Sequence, residues 1–493
     1  MHLHVSLTNR KDLSGQVYRQ FRDAILDGRL RARDPLPSSR NLAKQLRLSR
    51  NTVLLAYDRL RAEGFLTSTV GAGTFVAPGI QPRARVARVA SPLRARPVWE
   101  NLPEGLDMAA TQPAFDFRPG IPDVSAFPFP AWRARMAQQF QPLAVGSGAH
   151  IGAAGHEGLR AAIARHVGVA RAVRAAPEDV IVTSGSQQAL DIIIRVLLEP
   201  GDTIAMEDPG YPVARRAFLA HGCRVADVPV DAEGLVVEAI PRRARLVYVT
   251  PSHQYPLGMA MSMVRRQALL AWAQRANGIV VEDDYDSEFR FGGRPLEPLQ
   301  SLDSSGRVLY VGSLSKVMLP TLRLGFLVAP PSLGSALRKA KHITDWHTAV
   351  ATQAAAASFI EDGLLVQYVR RMRRVYEERQ ELIRRVLDRD FKGRLTPLPS
   401  SGGLHLAARL DGLRGAADVA LAEEARRLGV EVFPLSRHHQ SSHPHPGFII
   451  GYGAIATERI ELGLLELRRC LPVRSGRSGP AVSSTAGSNG SPR

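Results

Sequence analysis

Lys316 is the residue whose type and position best suit covalent chemistry in this chain. It ends the segment 311–316 (VGSLSK), directly after the run 307–310, which is typical of a strand. The chain holds only six lysines against 58 arginines, so a lysine at this position stands out. Arginine can replace lysine as a charge, but not as an amine that condenses with a carbonyl group. The position therefore predicts a reactive amine.

An acidic and phenolic segment lies upstream of Lys316. Asp283 follows the apolar run 279–281, which predicts a buried strand, and ligands collect at the carboxyl ends of strands in open α/β folds. Tyr285, two residues further on, points to the same side of an extended chain. The alternative interpretation is a solvated acidic turn that binds nothing.

A phosphate cradle is predicted near residues 181–190 (IVTSGSQQAL), which indicate a strand, a glycine turn and a helix. The amides of Ser186 and Gln187 at the helix start, together with the Ser186 hydroxyl, suit a phosphate group. Ser313 and Arg323 would complete the cradle, because arginine can grip a phosphate with two hydrogen bonds.

Taken together, these groups resemble the pyridoxal 5'-phosphate (PLP) site of fold-type I aminotransferases. PLP needs an amine for its aldehyde, a carboxylate at its ring nitrogen, a hydroxyl near O3′ and a phosphate cradle. The resemblance implies that Lys316 forms the Schiff base, Asp283 holds the ring nitrogen and Tyr285 hydrogen-bonds O3′. Tyr211, in the segment 208–212 (DPGYP), is expected to line the pocket above the ring, with a purely structural Pro-Gly turn as the alternative.

Three helices and a hairpin are predicted within residues 1–78. The first helix covers 13–28, serines in good N-cap positions open the other two, and 65–76 predicts two short strands around a glycine turn. This arrangement is a winged helix-turn-helix. The segment carries 13 basic against 6 acidic residues, which favours a polyanionic partner.

The motifs LPSSRNLA, LSRNTV and GAGTFV of this segment resemble the GntR family of bacterial transcription regulators, which implies a double-stranded DNA operator as partner. Serines and helix-start amides suit phosphate oxygens, the exposed start of the third helix suits base edges, and glycines allow a wing tip to approach a backbone. The alternative is a helical protein-interaction domain. The candidate DNA-binding residues are Ser38, Ser39, Arg40, Ser49, Arg50, Asn51, Thr52, Gly71, Gly73 and Thr74.

As a single chain, the two halves resemble the MocR subfamily of GntR regulators. That resemblance implies a small α+β winged helix-turn-helix, followed by an α/β fold-type I aminotransferase-like domain with a smaller C-terminal α+β subdomain. It also implies a sensor for PLP, an amine or an amino acid, and a head-to-tail homodimer. The predicted divisions are a DNA-binding domain at 1–78, a basic Pro-containing linker at 79–108, the PLP-binding domain at 109–474 and a disordered tail at 475–493.

The composition limits the class of protein, its location and the charge of its partner. A chain of 493 residues with 45% hydrophobic and 22% charged residues is typical of a globular protein with several domains. Two cysteines provide neither a disulfide framework nor a metal-ligand spacing, and the sequence has no long apolar span or signal-like start, so a cytoplasmic location is expected. The net charge of +18 favours a polyanion, although arginine-rich codon usage would also produce it.

The sequence departs from true aminotransferases at three positions, two of which, the aromatic motif and the missing clamp, favour regulation over catalysis. Tyr255 replaces the Asn of the Asn-Pro-x-Gly motif, in the Ser-His-Gln-aromatic form typical of the regulators, and His150 replaces a Tyr expected to contact the partner's phosphate. The segment 447–452 lacks the Arg that clamps an amino acid's carboxylate, without which transamination loses orientation. Substitutes for that Arg could be Arg437, Arg215 or Arg216.

Other interpretations stay open at this point. The chain could be a PLP-dependent aminotransferase with an accessory DNA-binding domain, or a DNA-binding protein whose second domain is only a dimerisation scaffold. Weak or vestigial aminotransferase activity is compatible with the sequence, and no catalytic residue is assigned. A histidine group in a Ser/Pro-rich segment is expected to be a flexible polar loop rather than a metal site. Its members are His438, His439, His443 and His445.

Overall fold

The computed structural model describes residues 5, 7, 11–69, 73–80, 94–103, 113–142, 150–291, 296–400, 402–440 and 444–472. The chain divides into two compact units, Met1–Ala95 and Arg96–Arg493. Gly71, His443 and the predicted tail lie outside the described residues.

The first unit is the predicted winged helix-turn-helix. Ser38 caps the second helix by accepting the Asn41 amide at 3.2 Å, and Ser49 caps the third by accepting the Thr52 amide at 3.1 Å. The strands pair antiparallel, and Gly73 is the first residue of the second strand rather than part of the turn. The elements are α1 Leu13–Leu26, α2 Ser39–Leu46, α3 Arg50–Ala62, β1 Leu66–Thr69 and β2 Gly73–Val76.

One apolar cluster holds the three helices and the hairpin of this unit together. Val17 and Phe21 of α1 pack with Val53 and Leu60 of α3, all at 1% exposure or less. Val17 and Phe21 are four residues apart and Val53 and Leu60 are seven apart, spacings that place each pair on one face of its helix. Burying side chains of this size contributes about 1.5–3 kcal/mol each, so the packing of these faces accounts for the predicted fold.

Within the predicted linker, the described residues include one regular element. Residues Pro97–Asn101 form a short helix, α4, and the Arg96 guanidinium donates to the carbonyl of Ala220. This part of the predicted linker is therefore helical, and Pro97 at the helix start supplies a favourable φ. Residues 81–93 and 104–112 lie outside the described residues.

The second unit is built on an eight-stranded sheet. Its strand order is β4-β11-β10-β9-β8-β5-β6-β7; β10, β9, β8, β5 and β6 run parallel, and β11 and β7 run antiparallel to their neighbours. The strands predicted near residue 181, at 279–281 and at 307–310 are all present. The strands are β4 Val180–Thr183, β5 Thr203–Asp208, β6 Arg224–Asp231, β7 Gly234–Leu235, β8 Ala244–Val249, β9 Ile279–Asp284, β10 Val308–Ser313 and β11 Gly325–Val328.

Helices flank this sheet, as parallel connections require. They are α5 Phe129–Gln138, α6 Glu157–Arg171, α7 Ser186–Leu197, α8 Pro212–Ala220, α9 Met263–Arg275, α10 Leu299–Leu302, α11 Pro331–Asp345, α12 Val350–Glu361 and α13 Leu364–Asp390.

A smaller α+β part follows α13, as predicted. Its sheet has the strand order β12-β13-β16-β15, and β14 pairs with β3 from the beginning of the unit. Its elements are β3 Phe115–Asp116, β12 Leu395–Pro397, β13 His405–Leu410, α14 Ala417–Arg427, β14 Val430–Glu431, β15 Phe433–Pro434, β16 Gly447–Gly451 and α15 Thr457–Cys470. In the described part of the chain, no helix combines the length and apolarity needed to cross a membrane.

Candidate functional site

The candidate site lies at the carboxyl ends of β8, β9 and β10. In the register of the sheet, Asp283 is paired with Val311, and Tyr248 is paired with Val281. Lys316 follows β10 in the adjacent loop. The parallel topology therefore brings together side chains that are far apart in the sequence, at the edge where α/β folds bind ligands.

The Lys316 amine is held inside the protein. Its Nζ donates a hydrogen bond to the carbonyl of Gly120. Burial lowers the pKa of Lys316, partly opposed by the charges of Asp286 and Asp283, so more of the amine is neutral and nucleophilic. Gly120 has φ +72°, and a Cβ there would lie 2.9 Å from Nζ, so this close approach requires glycine.

The Asp283 carboxylate has one oxygen satisfied and one free. The Tyr248 hydroxyl donates to Oδ2 at 2.6 Å, while Oδ1 is buried and has no hydrogen-bond partner among the described residues. Burial raises the pKa of Asp283 to about 6. A buried unpaired acceptor costs about 1–3 kcal/mol, and a protonated pyridine nitrogen is the kind of donor that would remove this cost.

Tyr285 belongs to a hydrogen-bonded group beside Asp283. Its hydroxyl donates to the carbonyl of His253 at 2.9 Å and lies 3.0 Å from Nδ1 of the same residue. The oxygen of that hydroxyl keeps a lone pair available. The predicted contact with O3′ of PLP would therefore be an additional hydrogen bond of the Tyr285 hydroxyl, beside those it already makes with His253.

A histidine–aspartate network supports Tyr285. His253 Nδ1 lies 3.0 and 3.1 Å from the two Asp286 oxygens, and its Nε2 lies 3.2 Å from the Ser400 hydroxyl. The His405 ring packs 4.9 Å from the His253 ring, and burial lowers the pKa of His405 to about 3. His405 is therefore neutral, and together these residues fix the orientation of the Tyr285 side chain.

The candidate phosphate cradle lies around Gly185, which has φ +84° and precedes α7. The Arg323 guanidinium donates to the carbonyl of Ser184 at 2.9 Å. A Cβ on residue 185 would lie 2.7 Å from Nη2 of that guanidinium. Glycine therefore leaves room for the guanidinium beside residue 185, which directly precedes the first amides of α7, and helix-start amides favour anions.

The other candidate cradle residues adjoin this point. Gly325 pairs with Ser313, and a Cβ on Gly325 would lie 3.0 Å from the Ser186 amide nitrogen. The Ser313 hydroxyl accepts the Ser315 amide at 3.1 Å. The ends of β10 and β11 thus lie against the start of α7, which holds Ser186 and Gln187.

Tyr211 lies in an aromatic group at the start of α8. Its ring is 5.4 Å from that of Tyr255, edge to face, and burial raises the pKa of Tyr211 to about 12. The Tyr255 hydroxyl lies 3.3 Å from His438 Nε2. Tyr255 thus occupies the site with an aromatic ring where aminotransferases have an amide.

His438 contradicts the expectation of a flexible polar loop. It ends a 3₁₀ turn at Leu435–His438 and is only 7% exposed, because Tyr255 packs against its ring. His445 is exposed and packs its ring 6.0 Å from that of His439. Part of the predicted loop is therefore a wall of the site.

The described residues show no arginine in the expected carboxylate-clamp position. Strand β16 is buried throughout and carries apolar residues and glycine. Of the proposed substitutes, Arg437 is exposed and Arg215 pairs with Asp227, while Arg216 is half-buried. His150 contacts His347 at 3.1 Å, so its ring is engaged within this chain.

The candidate DNA-binding residues in the first unit gather at the starts of α2 and α3. Ser38 and Ser49 are the caps described above, and Arg50 Nε donates to the Ser39 hydroxyl at 3.4 Å, which joins the two helix starts. Arg40 and Asn51 are exposed. Gly73 and Thr74 open β2.

The buried Glu207 on β5 makes the stability of the site depend on pH. Burial raises the pKa of Glu207 to about 7 from an ordinary value of 4.5. Between these values the native state keeps a proton that the unfolded state has lost, so this contribution falls as the pH rises. As the pH rises from 5 to 8, the free energy of unfolding of Glu207→Gln should increase by on the order of 2 kcal/mol relative to that of the wild-type protein.

Urea unfolding at the two pH values measures this effect, with the exposed Glu199→Gln as control. A stability difference between Glu207→Gln and wild type that does not change with pH would rule the explanation out.

Comparison with known proteins matches both units. Residues 13–76 match the family of bacterial regulatory proteins, gntR family, and residues 120–443 match aminotransferase class I and II. The probable rhizopine catabolism regulatory protein MocR of Rhizobium meliloti is 39% identical over 96% of this chain and 97% of its own length. The pyridoxine biosynthesis regulator PdxR of Corynebacterium glutamicum is 33% identical over 92% of this chain and 94% of its own.

Solved structures match the second unit. LysN, the alpha-aminoadipate aminotransferase of Thermus thermophilus, crystallised with N-(5'-phosphopyridoxyl)-L-leucine, is 30% identical with a TM-score of 0.66 over 72% of this chain and 91% of its own. Kynurenine aminotransferase of Pyrococcus horikoshii is 27% identical with a TM-score of 0.67 over 77% of this chain and 95% of its own. These matches confirm the predicted fold class, and they indicate PLP binding for the family.

A gntR winged helix joined to a class I and II aminotransferase unit, with similarity to MocR and PdxR along nearly the whole chain, places this protein in the MocR subfamily of GntR-family transcriptional regulators.

Proposed function

We propose that this DNA-binding regulator holds PLP on Lys316 and changes its affinity for an operator according to how that site is occupied. One observation carries the proposal: a buried amine with a lowered pKa and a carboxylate with an unpaired buried oxygen share one site. It is tested by measuring whether added PLP changes the affinity of the full-length protein for DNA.

The residues of the site fit the cofactor. Bound PLP supplies an aldehyde that condenses with primary amines, and the Lys316 amine is positioned to be one of them. Asp283 holds a positive charge at the ring nitrogen. The anchor for the phosphate group consists of Ser186, Gln187, Ser313 and Arg323.

The side chains around the ring control access to it. Tyr285 offers a hydroxyl near O3′, and the histidine–aspartate network keeps that hydroxyl in place. Tyr211 and Tyr255 form an aromatic wall that limits water above the ring. These contacts orient the cofactor and are sufficient for reporting its presence.

The sensed molecule is proposed to be PLP itself, an amine or an amino acid. The names of the relatives refer to pyridoxine biosynthesis for PdxR and rhizopine catabolism for MocR. A free amine can compete with Lys316 for the aldehyde, whereas an amino acid needs a carboxylate contact that β16 does not supply in the described residues.

The DNA contacts are proposed to come from the starts of α2 and α3. The cap hydroxyls and first amides of both helices, with Ser39, Arg40 and Thr52, would contact phosphates, while Arg50 and Asn51 would face base edges. Gly73 and Thr74, with Gly71 outside the described residues, would bring the wing to the backbone. A head-to-tail homodimer would carry two such DNA-binding units.

Arg50→Ala should weaken binding to the preferred DNA site by roughly 10- to 100-fold, because a bidentate base contact contributes about 1–3 kcal/mol. Fluorescence anisotropy with a duplex selected by the wild-type protein measures this change. Arg61→Ala, at the far end of the same helix and paired with Asp58, is the control. Equal losses for both variants would contradict the assignment.

The cofactor residues also support a second candidate function, catalytic transamination. Lys316 and Asp283 are arranged as that chemistry needs, but β16 offers no guanidinium for the substrate carboxylate. Turnover of amino-donor and keto-acid pairs at ordinary enzyme rates, about 1–10³ s⁻¹, would favour this alternative.

A further inference from the structure

A second cavity lies apart from the residues proposed to hold the cofactor. It has a volume of about 660 Å³ and is bounded by α6, the segment 287–290, α12 and α13. Asp283 and its neighbour Asp284 on β9 point to opposite sides of the strand. Asp284 lies 3.8 Å from Arg171 in the wall of this cavity, so the two sites lie on opposite faces of the sheet.

The wall of this cavity is strongly basic. Five arginines line it, against the two carboxylates of Glu288 and Glu361. Glu288 already pairs with Arg171 at 3.0 Å, and Glu361 pairs with Arg165 at 3.0 Å. The positive charge that remains favours an anionic ligand. The lining arginines are Arg165, Arg171, Arg290, Arg370 and Arg373.

The wall contains three residues with polar atoms that the described residues leave without a hydrogen bond: Arg171, whose Nε and Nη2 make ion-pair contacts only, Arg290 and His166. Arg290 Nε and His166 Nε2 are buried and have no hydrogen-bond partner, and the nearest ion-pair approach of His166 is 3.9 Å, to Glu288. The His166 side chain is only 8% exposed. Unpaired buried donors are uncommon in folded proteins, which indicates a polar site that its own residues do not complete.

The same cavity has an apolar side. Val169 is 92% exposed and Val366 is 46% exposed, and Ile360 and Val369 adjoin them. Small-molecule sites combine an apolar lining with a few placed polar groups. A bare inorganic anion would leave these apolar side chains in water, whereas an aromatic or aliphatic carboxylate would cover them.

We propose that this cavity binds an organic monoanion with an apolar body, the carboxylate facing Arg370 and the body covering Val169 and Val366. The ligand would contact α6, which packs on the main sheet, and α13, which packs against the smaller sheet. The proposal does not depend on PLP binding, since none of the residues proposed to hold the cofactor lines this cavity.

Isothermal titration of the full-length protein with 4-iodobenzoate tests the proposal, with and without added PLP. We expect saturable binding that weakens at least tenfold in Arg370→Ala and in Val366→Asp. Both positions are exposed, so these variants should fold. Arg374→Ala, an exposed arginine of α13 that does not line the cavity, should bind like wild type.

Two further probes separate charge from shape. Inorganic phosphate lacks the apolar body, and (4-iodobenzyl)trimethylammonium keeps the aromatic body but reverses the charge and cannot react with an aldehyde. Both should bind at least tenfold more weakly than 4-iodobenzoate. Absence of 4-iodobenzoate binding, unchanged affinity in the cavity variants, or equal affinity for either probe would overturn the proposal.

Discussion

Lys316→Ala is expected to abolish the retention of PLP through dialysis. Occupancy should fall from about one cofactor per chain to roughly a tenth or less, because the variant lacks the amine that ties the aldehyde to the protein. Visible absorbance measures the occupancy. Borohydride reduction followed by mass spectrometry should place the added mass on the peptide that contains residue 316 of the wild-type protein.

Lys339→Ala is the matched control for this result. Lys339 is an exposed lysine on α11, so its removal changes the lysine count without touching the site. This variant should keep wild-type absorbance and wild-type labelling. Stable labelling of the Lys316→Ala variant would show that another amine carries the cofactor.

Asp283→Asn is expected to weaken PLP binding by about 100-fold, or about 3 kcal/mol, which is typical of breaking a buried charge pair. The neutral amide cannot stabilise a protonated ring nitrogen. Burial raises the pKa of Asp283 to about 6 in the cofactor-free protein, so the carboxylate becomes protonated as the pH falls below that value. Wild-type affinity should therefore decrease as the pH falls through 6.

A pH titration of PLP affinity separates this role from a general loss of structure. Asp283→Asn should lack the part of the pH dependence that begins near pH 6. Tyr248→Phe, which removes only the 2.6 Å hydrogen bond to Asp283, should cost about 1 kcal/mol. Equal affinities and equal pH profiles for wild type and Asp283→Asn would contradict the assigned role.

The strands of the main sheet and the winged helix-turn-helix could be predicted from the sequence, because the sequence signals for both are local. Buried strands of an α/β sheet are apolar along their length, and the runs predicted near residue 181, at 279–281 and at 307–310 all form strands. Ser38 and Ser49 cap helices by contacts with residues only three positions away. Such short-range hydrogen bonds leave a pattern in the sequence.

The network around the ring could not be predicted in the same way. Asp286 and His405 meet His253 because the end of β9, the loop after β8 and the start of β13 converge in space. Tyr248 gave one usable signal, since a tyrosine in an otherwise apolar strand needs a partner for its hydroxyl. Its partner, Asp283, lies on a neighbouring strand, and only the sheet order brings the two together.

For His438, the composition of the surrounding segment led to a wrong prediction. Its Ser/Pro-rich surroundings are typical of a solvated loop, but the 3₁₀ turn directs its ring onto Tyr255. The composition of a segment indicates its backbone preference and does not reveal which side chain a distant aromatic ring will cover.

In the proposed function, PLP occupancy at Lys316 controls DNA binding. The direct measurement is the affinity of the full-length protein for its selected duplex with and without PLP, in wild type and in Lys316→Ala. We expect wild-type affinity to change at least about fivefold, the lower end of ordinary allosteric coupling, and the variant to respond little. Wild-type affinity that is identical with and without PLP would contradict the claim.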